Sequence, residues 1–299
     1  MNNTISVSQL VTIAITSKVF TLLFETGYSY NFLLAILIAV IIELLLMQIA
    51  LRVKDNIIFY LYALITASAT IMSLKEFLVD AIYPNSSSFF FIVTLVLAAV
   101  YASYMGLEGI VRSSFIIFIL FLISLAFLIL GNGRQIEKVA FSFSFSEVLK
   151  NSFKIVASSP EILLFSMLRN NVKSNIKKGS YAYILGSNII LAVATVITVL
   201  VLSRAVNYEN YPYYAVSTLA KISVFERLDA IHMAIWVLIG FIRASIFTNL
   251  VKRKLKLYIV APLLIMAVFL KEYYLLISGI MLFVILPLSL LRREISEKS

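Results

Sequence analysis

KIVASSPEILLFSMLRN, residues Lys154–Asn170, sets two serines, a proline and a glutamate inside a run otherwise apolar enough for a bilayer interior. Proline has no amide proton, and its ring clashes with the carbonyl four residues back, so a helix passing through Pro160 frees backbone groups. In hydrocarbon those groups must find partners within the protein or face a cavity. Two readings follow. In one, Pro160 kinks a packed helix and both serines bond back to the preceding turn. In the other, the helix unwinds at Ser158, Ser159, Pro160 and Glu161, and its free backbone lines a binding site. Glu161 favours the second, because an ionisable side chain near mid-bilayer costs at least about 2.5 kcal/mol and normally faces a cavity or a partner.

The surroundings make this a membrane question. The 299 residues are 62% hydrophobic and 13% charged, with a mean hydropathy of +1.01; soluble domains are roughly 45–50% apolar and 25% charged. Apolar stretches of spanning length recur along the chain. We read ten spans, at 7–24, 32–51, 57–79, 89–105, 110–130, 153–168, 181–202, 230–251, 257–270 and 273–291. The opening MNNTISVSQ has no Lys or Arg ahead of the first apolar run, which argues against a cleavable signal peptide. Without Cys there are no disulfides or thiolate metal sites. The lone His232 reads as an ordinary helix residue rather than a zinc ligand, and no cofactor is expected.

The net charge of +10 is explained by orientation. With the amino terminus cytoplasmic, the inner loops hold Arg52, Lys54, Arg112, Arg169, Lys173, Lys177, Lys178, Lys252, Arg253, Lys254, Lys256, Arg292, Arg293 and Lys298. The outer loops hold the shorter set Arg134, Lys138, Lys150, Lys154, Arg204, Lys221, Arg227 and Lys271. Both termini are therefore expected inside, and nucleic acid is not an expected partner, since the basic residues are dispersed and lack a stacking platform. Of the two longer connections, FSFSFS in 131–152 suits an extended interfacial segment. YPYYAVSTLAKIS in 203–229 suits a helix lying across the outer mouth.

Polar groups interrupt two spans five helices apart: Thr16, Ser17 and Lys18 in the first, and Ser158, Ser159, Pro160 and Glu161 in the sixth. That is the pattern of two inverted five-helix repeats, residues 1–131 and 153–299 of a single transmembrane domain, with helices one and six discontinuous around a midplane site. Thr16, Ser17, Lys18, Ser158, Ser159 and Glu161 become candidate substrate-binding residues. With this topology, Lys18, Glu161 and Arg243 form a mixed-charge cluster, serving either ion coupling or helix packing. Among other charges in the spans, Glu43 is a candidate without an assigned role. Glu108 and Arg112 read as an i,i+4 pair at a helix entrance, and Glu76 as a helix-end charge that reaches water.

The segment NYPYYAVSTLAKISVFERLDAIHMAIWVLIGFIRASIF resembles the GerAB-type B subunits of spore germinant receptors, in the amino acid, polyamine and organocation (APC) transporter superfamily. The pattern falls on Tyr211, Pro212, Glu226, Arg227, Leu228, Asp229, Trp236, Gly240, Arg243 and Ser245. ISVSQ at Ile5 to Gln9, MGLEGIVR with Gly106, Leu107, Glu108 and Arg112, and the Pro160–Glu161 turn are similar to further family motifs. The resemblance implies an all-α, LeuT-like bundle of ten helices, with helix three supplying a pocket wall, here Tyr62 and Thr66. It also implies a small nutrient ligand such as an amino acid, partner A and C subunits, and residence in the spore inner membrane. The first span departs from the family: AITSKVFTLLFETG puts Lys18 where a small residue is usual. That cation mimics a coupling ion, neutralises Glu161, or marks drift from the family's ligand.

Three functions compete. A nutrient sensor binds without transporting, a permease couples an amino acid to an ion gradient, and a degenerate scaffold only anchors partners. An enzyme is least expected, with no Cys, no second His and no nucleophile motif beside a base.

Overall fold

The computed structural model describes residues 4–84, 86–133, 135–136, 143–173, 175–221 and 228–291. The motif residue Glu226, the loop charges Arg134, Lys138, Arg227, Arg292, Arg293 and Lys298, and the first two residues of FSFSFS lie outside them.

Short polar residues start the helices where the sequence leaves an apolar run. Ser6 caps α1 (Val7–Val19) in a reciprocal box with Gln9, Ser29 caps α2 (Tyr30–Ala50), and Asn56 caps α3 (Ile57–Ala81), each accepting a first-turn amide that has no helical partner. α4 (Ser88–Met105) passes into α5 (Leu107–Gly131) through Gly106, whose φ of 103° lies in the region that favours glycine. Ser144 caps α6 (Phe145–Ala157), so the segment expected to be extended is already helical at Phe145, eight residues before the predicted start of the sixth span. Proline freezes helical φ and lacks a donor that a first turn would waste, and Pro212 accordingly opens the short helix α9 (Pro212–Leu219) on the predicted outer segment.

Among the described residues eight helices are long and apolar enough to cross a membrane. Six of them are α1 with the 3₁₀ turn that follows it, α2, α3, α4, α5 and α8 (Ile176–Leu202); the seventh corresponds to α10 (Leu228–Lys252). The eighth, Leu257–Leu291, has 35 residues; as a straight helix it would run about 52 Å, against about 30 Å of hydrocarbon. Its neighbours show that it doubles back. Just before it, Lys254 lies over the ring of Tyr60; midway, Lys271 pairs with Glu76; then Ser278 meets the Tyr62 hydroxyl and Ser289 reaches Asn56. The chain climbs α3 as α11 (Leu257–Ala267), turns through the 3₁₀ segment Val268–Tyr273, and descends as α12 (Tyr274–Ile280) and its π-helical continuation Met281–Ile285. The predicted ninth and tenth spans are this hairpin.

The predicted sixth span is not one helix. α6 ends at Ala157, and α7 (Ile162–Met167) follows after four residues. Counting the two pieces as one crossing gives ten, with Val7 and Leu291 on the same face. The first span differs from expectation: α1 runs unbroken through Thr16, Ser17 and Lys18, and only from Phe20 to Phe24 does its bonding tighten to 3₁₀. No proline or glycine stands in that stretch to remove a donor or favour an unwound backbone.

α3 and α10 pack along much of their length, α2 lies against α6 and α8, and α1 lies against α5, α8 and α10. Gly240 sits where α10 meets α3 and the end of the first span: a Cβ there would stand 2.6 Å from a Phe20 ring carbon and 2.7 Å from both Leu74 methyls. Gly279 on α12 has no such neighbour within 4 Å. Gly240→Ala is expected to destabilise the detergent-solubilised protein by about 1–3 kcal/mol through overpacking. Gly279→Ala, in open space inside a helix, is expected to be neutral or stabilising by up to about 1 kcal/mol. Thermal unfolding of the two variants side by side checks both.

Candidate functional site

The interruption of the sixth segment is an exercise in satisfying carbonyls. An unbroken helix would direct the amides of Ser159, Pro160 and Glu161 to the carbonyls of Ile155, Val156 and Ala157. Pro160 has no amide, and the ladder shifts. Ser159 N–H donates to Val156, the hydroxyls of Ser158 and Ser159 both lie 2.9 Å from the Ile155 carbonyl, and Ser278 of α12 donates to Ala157. Beyond the proline, Ile162, Leu163 and Leu164 donate three residues back, to Ser159, Pro160 and Glu161. The serines do bond back to the preceding turn, yet the helix stops rather than bends. The carbonyls of Ile155, Val156 and Ala157, which lose their helical amides at the break, each have a side-chain or shifted backbone partner, as a water-poor interior requires.

Two ion pairs close around this break. Lys18 Nζ lies 2.6 and 2.8 Å from the carboxylate oxygens of Glu43, and the two side chains are 4% and 0% exposed. Glu43 also accepts from Asn188 Nδ2 at 2.7 Å, and the Ser159 hydroxyl stands 2.7 Å from its other oxygen. Glu161 accepts from the Ser17 hydroxyl at 2.6 Å and faces Arg243 NH1 at 3.2 Å, with exposures of 0% and 2%. Arg243 further donates to the Ser17 carbonyl at 2.9 Å and stands 3.4 Å from the Tyr274 hydroxyl. Two buried cations thus balance two buried carboxylates. Their hydrogen bonds tie α1, α2, the break, α8, α10 and α12 together at one depth. Glu161 Oε2 and Arg243 Nε, both buried, have no hydrogen-bond partner among the described residues.

The expected cluster of Lys18, Glu161 and Arg243 is therefore divided. Lys18 does not neutralise Glu161: its partner is Glu43, the intramembrane acid to which the sequence reading assigned no role, and Arg243 takes Glu161. Glu76 pairs with Lys271, and Arg112 meets Glu108 at 2.5 Å in an exposed i,i+4 pair. His232, buried in α10, sits between Ser124 and Trp236, 2.6 and 2.7 Å away.

Directly above the network a cleft of about 210 Å³ opens toward the face opposite Val7. Its floor is Arg243, Tyr274, Ser158 and Thr70, its walls are the 3₁₀ turn with Phe20 and Phe24, and its rim carries Glu25, Lys154, Lys271 and Glu272. Glu25 and Lys154 bridge the rim at 2.8 Å. Of the candidate site residues, Ser158 and Arg243 line this space. Ser17, Lys18, Ser159 and Glu161 lie in the packed layer beneath it. Thr16 and Thr66 turn their hydroxyls onto their own helices, to Thr12 and Tyr62 carbonyls, and the Tyr62 hydroxyl meets Ser278 at 2.5 Å. Glu43, a candidate without an assigned role, joins the site, as do Asn188, Tyr274 and Ser278, which had not been singled out. Glu43 and Asn188 carry the same signal as Glu161, a polar side chain deep in a span; Tyr274 and Ser278 carry none that distinguishes them from ordinary helix-packing residues.

A search of curated proteins finds no match to the chain. A family model described as spore germination protein, the spore permeases, matches residues 50–289. The matched region begins at the end of α2, so it contains Glu161 and Arg243, whereas Lys18 and Glu43 precede it. With eight helices long and apolar enough to cross a membrane among the described residues, and a family match over most of its length, this chain belongs to the spore germination protein family.

Proposed function

We propose that this chain is a GerAB-like nutrient sensor: a multi-pass membrane subunit of a spore germinant receptor that binds an amino acid or similar small solute in a transporter-derived pocket, without transporting it. The observation that carries this reading is the cleft that ends on Arg243 and the break at Ser158. Its volume of about 210 Å³ is below the ~300–1,000 Å³ of sites for drug-sized ligands, which suits a solute of amino-acid size. A guanidinium in the floor matches a carboxylate, and Glu25 and Glu272 at the rim match an ammonium group.

Neighbour relations support two inverted five-helix repeats. Taking α6 and α7 as crossing six and α8, α10, α11 and α12 as seven to ten, a shift of five crossings exchanges packed pairs. The pair of crossings one and seven exchanges with six and two, one and five with six and ten, and four and eight with nine and three. Crossings two with seven and three with eight map onto themselves. In this frame only the second repeat has a fully broken site helix, and the 3₁₀ turn of the first is its weaker counterpart. The excess of Lys and Arg on the face where α1 begins supports cytoplasmic termini; A and C subunits and the spore inner membrane follow from the family reading.

Ligand binding would act by favouring one packing of the two repeats, and only to the extent that its affinity differs between the two states. A permease would use the same cleft, with the paired charges releasing one another during transport; a scaffold would leave the cleft empty. For the sensor, purified protein in nanodiscs is expected to bind a labelled amino acid, while proteoliposomes show no accumulation under a proton or Na⁺ gradient. Gradient-dependent uptake would establish the permease instead, and no binding across the amino acids would leave the scaffold.

Two substitutions probe the layer beneath the cleft. Glu161→Gln keeps the hydrogen-bonding shape but removes the charge facing Arg243, and is expected to abolish ligand response with membrane abundance intact; an unchanged response would remove Glu161 from the site. Lys18→Met leaves the buried Glu43 without its cation, with an expected loss of about 3–5 kcal/mol, and Lys18→Met with Glu43→Gln should recover most of it. Thermal unfolding of the single and double variants reads the coupling directly.

A further inference from the structure

The charges around the cleft above the break do not cancel. Three cations line it, and each already has its acid. Lys154 lies 2.8 Å from Glu25, Lys271 meets Glu76, and Arg243 faces Glu161 at 3.2 Å. Of the two acids in the lining, Glu25 is held a second time, its Oε1 accepting from the Gly27 amide at 2.6 Å. Glu272 is exposed at the rim and has no ionic or hydrogen-bonding partner among the described residues. The lining and its partners therefore carry one negative charge in excess. In a cleft with low-dielectric walls, such a charge is focused on whatever enters.

The hydroxyls favour the same sign of ligand. Thr21 donates to the Lys18 carbonyl at 2.8 Å, Thr70 to the Thr66 carbonyl at 2.8 Å, and Ser158 to the Ile155 carbonyl at 2.9 Å. A hydroxyl has one proton and two lone pairs, so these three lining groups have only lone pairs left for a solute. With Glu272 they form an acceptor-rich surface that asks for N–H donors. Arg243 in the floor supplies the opposite chemistry, for a carboxylate.

Depth relates the two ends. Tyr274, whose hydroxyl stands 3.4 Å from Arg243 NH2, is two residues beyond Glu272 on the turn of the final hairpin, so an extended solute reaching from floor to mouth follows one short segment. We propose, on the sensor reading of this cleft, that its ligand is a basic amino acid such as lysine. The carboxylate lies toward Arg243, the α-ammonium on the hydroxyls of Thr70 and Ser158, and the side-chain ammonium at Glu272. A neutral side chain would leave the Glu272 carboxylate unmatched, and an acidic one would meet it with like charge.

The test uses the full chain in nanodiscs, with labelled lysine competed by norleucine, which lacks only the terminal ammonium, by cadaverine, which lacks the carboxylate, and by glutamate. Lysine is expected to bind about fivefold more tightly than norleucine, the upper range for a partly exposed ion pair, and more tightly than cadaverine, with glutamate failing to compete. Glu272→Gln should bring lysine down to the level of norleucine. Glu209→Gln, an equal charge change at an exposed position outside the cleft lining, should leave lysine binding unchanged. Norleucine or cadaverine binding as tightly as lysine, a lysine preference that survives Glu272→Gln, or equal loss in both variants would each overturn the proposal while leaving the cleft a ligand site. Binding of no amino acid would overturn the sensor reading and this proposal together. Gradient-driven accumulation of lysine in proteoliposomes would overturn the sensor reading alone and support the ligand class.

Discussion

A carbonyl that loses its amide inside a membrane has nowhere to go but to another group of the protein. Pro160 creates that situation, and much of the centre of this molecule is organised around it. The two serines before the proline cover the Ile155 carbonyl, Ser278 crosses from α12 to cover Ala157, and a short run of tighter backbone bonds absorbs the rest. The four residues between α6 and α7 are therefore a built feature in which the Ile155, Val156 and Ala157 carbonyls are occupied, and they leave Glu161 pointing into the bundle where the helix would otherwise have been closed.

Electrostatics sets the second layer of organisation. Burying a carboxylate is costly unless a cation and hydrogen bonds accompany it, and the bundle meets that requirement twice at the same depth. Lys18 with Glu43 fastens the first two helices together, and Arg243 with Glu161 fastens the break to α10. The pairs are linked through neighbours, since Ser17 and Lys18 are adjacent in α1 and Ser159 and Glu161 flank the same proline. Arg243 also lines the cleft above. Arg243 holds both Glu161 and the Ser17 carbonyl, so it joins the break and α1 to α10.

Several features were legible in the residues alone. Composition and run lengths identified ten crossings, and the chemistry of proline located the break, because both depend on local properties: how much apolar surface a segment presents, and whether its backbone has a donor. The interruption expected in the first span was not there. Thr16, Ser17 and Lys18 are polar side chains on an intact backbone, and polarity alone does not remove a helical hydrogen bond. The merging of the last two spans into one continuous helical stretch was equally hidden, since Val268–Tyr273 turns through 3₁₀ geometry without glycine or proline.

The sequence by itself determined that this chain lives in a membrane and where one helix must stop. It also showed which side chains are too costly to leave unpartnered. Only the tertiary structure decided the partners. Glu43 and Glu161 are equally acidic, and Lys18 and Arg243 equally cationic, so their assignment depends on which helix faces lie opposite each other once ten crossings are packed. The cleft was likewise decided by packing: it is the space left between the tightened end of the first span, α3, the top of the broken helix and the turn of the final hairpin, and no single segment carries its outline.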